Sequence, residues 1–151
     1  MNLRHYLVTP WSHPLGDTLL RLFVRIALAG PFFLSGRTKM VDGTWFTNSD
    51  TTYSLFESEY AGVPLPTQFA ALAATAAEHL LPLLLLLGLG TRIAALGLLI
   101  MTMVIQIFVY PDAWWNVHMT WVALALIVLV LGPGRLSFDA LLFGKGRHDP
   151  Q

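Results

Sequence analysis

Arg25, Lys39, Glu78, Gln106 and His118 are polar side chains set in or beside long apolar runs. Their types are the ones that chemistry needs. A carboxylate and a guanidinium can pair, hold a polar head group or exchange a proton. A neutral histidine can shuttle a proton or hydrogen-bond a carbonyl. A charge at the centre of a bilayer costs about 2.5–3.5 kcal/mol on insertion scales, so such groups turn inward and find partners.

Counting along the helices places them in two layers. Arg25 lies roughly 14 Å above the inner face on the first apolar helix, and Glu78 about 12 Å above it on the second. The depths predict that Arg25 and Glu78 meet, either as a structural ion pair locking two helices or as a functional site. Arg21, one turn below Arg25, shares its stripe and either snorkels to the head groups or joins the network. Pro31 and Pro82 each remove a backbone donor, leaving the carbonyls of Ala27 and Glu78 without their helical partners. Higher up, Gln106, with Thr102 below it, and His118 are expected to share a layer with Lys39, as ligand-binding candidates or as a hydrogen-bonded interfacial histidine. Glu78, His79 and His118 are too few and too scattered in depth to converge on a metal, and no metal site is expected.

The elements that must carry these residues are membrane spans. Of 151 residues, 55% are hydrophobic and only 12% charged, about half the charge of a soluble chain. Ile93–Pro111 and Ala113–Gly134 contain no charge except Asp112 between them, and Pro66–Leu89 is interrupted only by Glu78 and His79. The first run carries Arg21 and Arg25, too interrupted for a signal peptide, and reads as a retained helix. The expectation is an all-α, single-domain, integral membrane four-helix bundle with spans at about 15–36, 66–89, 92–110 and 114–132. The small residues Gly88, Gly90, Ala94, Ala95 and Gly97 are expected to serve close helix packing.

Nine Lys+Arg balance nine Asp+Glu, leaving no basic excess for nucleic acid. There is no cysteine, hence no disulfide, thiolate nucleophile or Cys-ligated cluster. Arg4, Arg92, Arg135, Lys145 and Arg147 lie on one side and Arg37 and Lys39 on the other. That bias predicts both termini in the cytoplasm.

The first connection, roughly Arg37–Leu65, then faces outward. Its Trp45, Phe46, Tyr53, Phe56 and Tyr60 suit either a cap folded over the bundle mouth or an aromatic interfacial belt. Tyr110, Trp114 and Trp115 read as an interface belt. At the other end, Ser137 is placed to cap a short amphipathic segment carrying Phe138, Leu141 and Leu142.

The ordered set of motifs resembles one family. Arg25-Ile-Ala-Leu-Ala-Gly30, Phe33-Leu-Ser-Gly36 and Lys39 resemble the first helix of the DoxX family. Glu78 with its leucine-rich continuation, Gly88-Leu-Gly90-Thr91-Arg92 and Ala94-Ala95-Leu96 resemble its second and third helices, and Gly132-Pro133-Gly134-Arg135-Leu136-Ser137-Phe138-Asp139 its closing run. One departure is His79-Leu80 after the glutamate, where the family usually has small residues. The resemblance implies a bacterial inner-membrane protein related to the small subunit of thiosulfate:quinone oxidoreductase. Other members are associated with redox-protective complexes or stand beside enzymes that modify metal-handling peptides. By position, Arg25, Lys39 and Glu78 match the family's polar residues.

Three functions are compatible with this. The first is a redox-associated subunit that binds quinone, through Arg25 and Glu78 or Lys39 and His118, or supports a partner oxidoreductase. The second is a non-catalytic scaffold in a stress- or metal-handling complex. The third is a proton or small-molecule conduit. No intrinsic cofactor is expected. Expected partners are the bilayer, proteins in the membrane or periplasm, and a second copy of the chain.

Overall fold

The computed structural model describes residues 14–143. Arg4, Lys145 and Arg147, which enter the charge bias, lie outside the described residues. Within them the chain forms six α-helices: α1 (Pro14–Thr38), α2 (Asp50–Ser58), α3 (Thr67–Leu87), α4 (Thr91–Phe108), α5 (Met119–Leu131) and α6 (Phe138–Phe143). Four segments are long and apolar enough to cross a membrane: α1, α3, α4 and Pro111–Leu131, which contains α5. The protein is an all-helical, multi-pass membrane protein.

The four spans close into a ring, with α1 against α3, α3 against α4, α4 against α5, and α5 back against α1. Val24, Leu28, Phe32, Leu85, Leu98 and Val128 fill its centre. Ala94 and Ala95 are fully buried, and Gly97 lies against Leu81, so small residues do allow close approach. Leucines and isoleucines such as Leu19, Ile93 and Ile100 point outward, where lipid rather than water is the solvent.

Two turns are sharper than the sequence suggests. Gly88 takes a left-handed conformation and caps α3, and Gly90 does the same just before α4. Before α5, Pro111–Ala113 forms a 3₁₀ turn and Trp114–His118 a π-helical turn. The fourth span therefore begins irregularly, with His118 at the junction.

The long first connection is a cap. The Met40–Asn48 bridge closes a turn beyond α1, and Ser49 caps α2 by accepting from the Thr52 amide at 3.2 Å. α2 then lies along the N-terminal part of α3, burying Phe56 against Ala70 and Ala71 with Tyr53 and Tyr60 beside them. Trp45 and Phe46 stay outside, Phe46 at 96% exposure. The aromatics thus divide between the two expected roles. At the far end, Ser137 Oγ accepts from the Ala140 amide at 3.1 Å and starts α6 as expected.

Candidate functional site

Glu78 is 3% exposed, in the middle of α3, and pairs with Lys39. Lys39 Nζ lies 2.8 Å from Glu78 Oε2 and donates to Oε1 at 3.0 Å. Ser35 Oγ donates to the same Oε1 at 3.2 Å and accepts from Lys39 Nζ at 2.9 Å. Ser35 and Lys39 are four apart, so the end of α1 presents both to one carboxylate. The cap fixes this end, because the Lys39 carbonyl accepts from the Ser49 amide and from Thr52 Oγ1.

Arg25 and Glu78, expected to meet, do not. Gly36 lies against Glu78 and His79, whereas Arg25 lies against Gly88 and Ser137. Glu78 thus stands about 15 Å above the level of Arg25. The depth count starts α1 at one face and α3 at the other face of a single slab about 30 Å thick. Instead the N-terminal part of α3, covered by α2, extends about 16 Å beyond the end of α1. The cation at the right height for Glu78 is Lys39.

Arg25 belongs to a different cluster at the opposite end. It is 1% exposed and donates from Nη2 to the Leu136 carbonyl at 2.7 Å. Beside it, Asp139 accepts from the Gly90 and Thr91 amides at 2.8 and 2.9 Å and from Thr91 Oγ1 at 2.8 Å. Its own amide donates to the Gly88 carbonyl. Burial works against the Asp139 charge, but the Thr91 and Gly90 donors and the Arg25 charge outweigh it and hold its carboxyl below the usual range. Arg21 joins neither cluster; it pairs with Asp17 and reaches the Leu131 carbonyl.

Gln106 and His118 do share a layer, joined by a 2.6 Å bond between Oε1 and Nδ1. Gln106 Nε2 donates to the Pro111 carbonyl at 2.7 Å, which leaves its oxygen as the acceptor. His118 therefore carries its proton on Nδ1 and keeps Nε2 as an acceptor. Lys39 is not part of this pair, and Thr102 turns back to the Leu98 carbonyl. His79 is turned from the carboxylate, with Nδ1 on the Thr75 carbonyl. Among the described residues no group of His, Asp and Glu converges as a metal site would require.

Two spaces adjoin Glu78. A pocket of about 310 Å³ lies between α3, α4 and the cap, lined by alanines, Leu81, Gly97, Ile100, Met101 and Val104, with Glu78 as its charged group. Leu65, Ala73 and Ile100 on its rim are exposed, so its mouth opens sideways. A smaller cavity of about 130 Å³ lies toward α5, lined by Pro31, Ser35, Tyr60, Tyr110, His118 and Trp121 as well as Glu78. Glu78, Tyr60 and Ile105 line both. Burial, with the negative charges of Glu78 and Glu59, pushes the Tyr60 phenol up to about 12. It remains a hydroxyl donor at neutral pH.

Ser35 and Tyr60 are missing from the sequence-based candidates. Ser35 carries a readable signal, one turn before Lys39 on the same stripe. Tyr60 carries none, because its place depends on how the cap folds back.

The chain is 28% identical over 135 residues to an uncharacterized protein of Haemophilus influenzae, covering 85% of this chain and 86% of that one. No solved structure matches it. The DoxX family model matches residues 20–111, which hold Arg25, Lys39, Glu78 and Gln106, while His118 and the closing run lie beyond the match. With a match across well over half its length, spanning α1 to the end of α4, the chain belongs to the DoxX family.

Proposed function

We propose that this protein is a redox-associated subunit of the bacterial inner membrane that binds a quinone in the pocket beside Glu78 and serves a partner oxidoreductase. The observation that carries the reading is the shape and lining of that pocket. At about 310 Å³ it is small for a ligand site, at the low end of the usual range. It is apolar along its length, opens where lipid would be, and ends on one carboxylate and one phenol. A lipid-soluble ring with oxygen at one end fits such a lining.

The chemistry follows from the two polar residues. Tyr60 donates to a ligand carbonyl. Glu78 accepts a hydrogen bond, or a proton, from a ligand hydroxyl, while Lys39 and Ser35 hold the carboxylate in place. A bound quinone would supply the electron-carrying chemistry, and with no cysteine in the chain the partner would hold the remaining redox centre. Arg25, the other cation considered for this role, is about 15 Å away along the bundle and takes no part.

The same reading puts both termini in the cytoplasm as an inference from charge. Arg21, Arg92 and Arg135 gather at the α6 end, and Lys39 on the cap side is consumed by its ion pair. The cap then faces the periplasm, where partners could reach it.

A non-catalytic scaffold is the second reading. The Lys39–Glu78 pair favours it, because it satisfies both charges and ties α1 to α3 without a ligand.

Extraction in native-like lipid particles followed by mass spectrometry separates the two. Co-purifying quinone is expected from the wild type and not from Glu78→Gln. Ala73→Trp should also lose it, since Ala73 is an exposed residue at the mouth and its replacement leaves the ion pair intact. A partner protein without quinone, or quinone retained by both variants, overturns the ligand reading in favour of the scaffold.

A further inference from the structure

The small cavity beside Glu78 is built differently from the large pocket. Its walls bring a carboxylate, two phenols, a serine hydroxyl and an imidazole around about 130 Å³. That is room for several waters, and the walls supply the polar partners each would need. The backbone near it is irregular at two points. Pro31, in its wall, removes a helical hydrogen bond from α1, and His118 ends a π-helical turn, a distortion found most often where helices do work.

We infer that this cavity is a hydrated proton-transfer site in which His118 carries protons between Glu78 and the cap-side surface. The chain of bonds behind His118 supports it. The Pro111 carbonyl orients the Gln106 amide, and the Gln106 oxygen holds the His118 Nδ1 proton. The open lone pair is then on Nε2, where a second proton can be taken and released. On the far side, Tyr110 lines the cavity, is 42% exposed, and donates to Glu59 at the surface.

The charged and titratable groups around Glu78 and His118 are Lys39 from the end of α1, Tyr60 and Glu59 from the cap and Tyr110 from the turn after α4, with His79 next to Glu78 on α3 but turned to the Thr75 carbonyl. Each transfer moves one proton between the Glu78 carboxylate, cavity water and His118 Nε2, with no change of oxidation state. The role of this route in turnover rests on the quinone reading, since a ligand hydroxyl deprotonated beside Glu78 needs somewhere to send its proton. The cavity and its proton traffic can be tested without any ligand.

Two measurements on the full chain in lipid nanodiscs decide it. Water-to-protein magnetisation transfer by solid-state NMR, on protein labelled at glutamate and histidine, reports hydration. The chain has three glutamates, so Glu78→Gln assigns the buried carboxyl. That carboxyl is expected to receive magnetisation from water about as fast as Glu57 and Glu59. Rapid acidification followed by time-resolved infrared then reads the rate at which the Glu78 carboxylate gains a proton. His118→Phe is expected to slow it by about 100-fold, and Gln106→Leu, which frees the tautomer, by less. If His118→Phe does not fold, Gln106→Leu alone still tests the route.

A Glu78 carboxyl without water contact overturns the inference. So does an unchanged rate in the folded variants. Quinone bound over a dry cavity would leave the proposed function standing and remove the route. A wet, His118-dependent route without quinone would do the reverse.

Discussion

Two buried charge clusters stand at opposite ends of this bundle, and they differ in what surrounds the charge. Around Glu78, the Lys39 and Ser35 contacts occupy one side of the carboxylate, and two cavities open on the others. Beyond Arg25 an open groove of about 800 Å³ is lined by Leu136, Ser137 and Phe138, but the guanidinium itself is closely packed and 1% exposed. Gly88 is needed there because a β-carbon would run into the guanidinium and Ser137, and Asp139 uses its oxygens on the start of α4. Arg25 also lies beside Gly88, at the C-terminal end of α3, where the helix dipole favours a cation. A buried charge in a membrane bundle is therefore not a site by itself. What separates clasp from site is whether a ligand or water can reach the charge.

Removing one partner from each cluster gives the largest contrast. Lys39→Met leaves Glu78 buried beside a hydroxyl alone and should cost about 3–5 kcal/mol of stability. Replacing both, Lys39→Met with Glu78→Leu, should recover most of that while eliminating any ligand or proton role. Arg25→Met should cost less, about 2–3 kcal/mol, because it leaves one carbonyl unpaired and no lone buried carboxylate comparable to Glu78. Unfolding in mixed micelles orders the three. A costlier Arg25→Met than Lys39→Met would break the distinction between the ends.

The next effect belongs to Asp139. Asp139→Ala removes the acceptor for two amides at the start of α4 and should cost about 1–2 kcal/mol. Its pH dependence sharpens the comparison. The folded-state carboxyl titrates below its unfolded value near 3.8, so its stabilisation is complete above that value and fades as pH falls through the folded one. Acid unfolding of the wild type should therefore be steeper below about pH 4 than that of Asp139→Asn. Equal slopes would mean that the clasp owes nothing to the aspartate charge.

What the sequence made legible follows the same division. The four spans and the Ser137 start of α6 are local, set by apolar run length and by single residues, and they stand within a few positions of their expected bounds, whereas Gly90, expected to serve packing, instead makes a turn against open space. Gln106 and His118 were also placed correctly together, because only a short connection separates them and the register has little room to slip. The Arg25–Glu78 pairing fails because it compares depths across the long first connection. A cap that buries Phe56 on α3 goes with an offset of that helix by about half of the membrane-spanning length, which no run length reveals. Tyr60 was invisible for the same reason.

The smallest expected effect tests how tightly the cap holds the site. Arg37 sits over the Trp45 ring at 4.3 Å, and Trp45 meets His79 edge-on, so this turn touches the outer flank of α3 beside Glu78. An exposed cation–π contact contributes about 0.5–1 kcal/mol. Trp45→Ala should lower stability by no more than that, since the Met40–Asn48 bridge and the Lys39 carbonyl bonds remain. Phe46→Ala, at a side chain almost wholly exposed, should leave the isolated protein unchanged. If Trp45→Ala also shifted the Glu78 carboxyl resonance, the turn would help position the carboxylate. An unmoved resonance would place that task on the Lys39 backbone alone, where the hydrogen bonds already concentrate it.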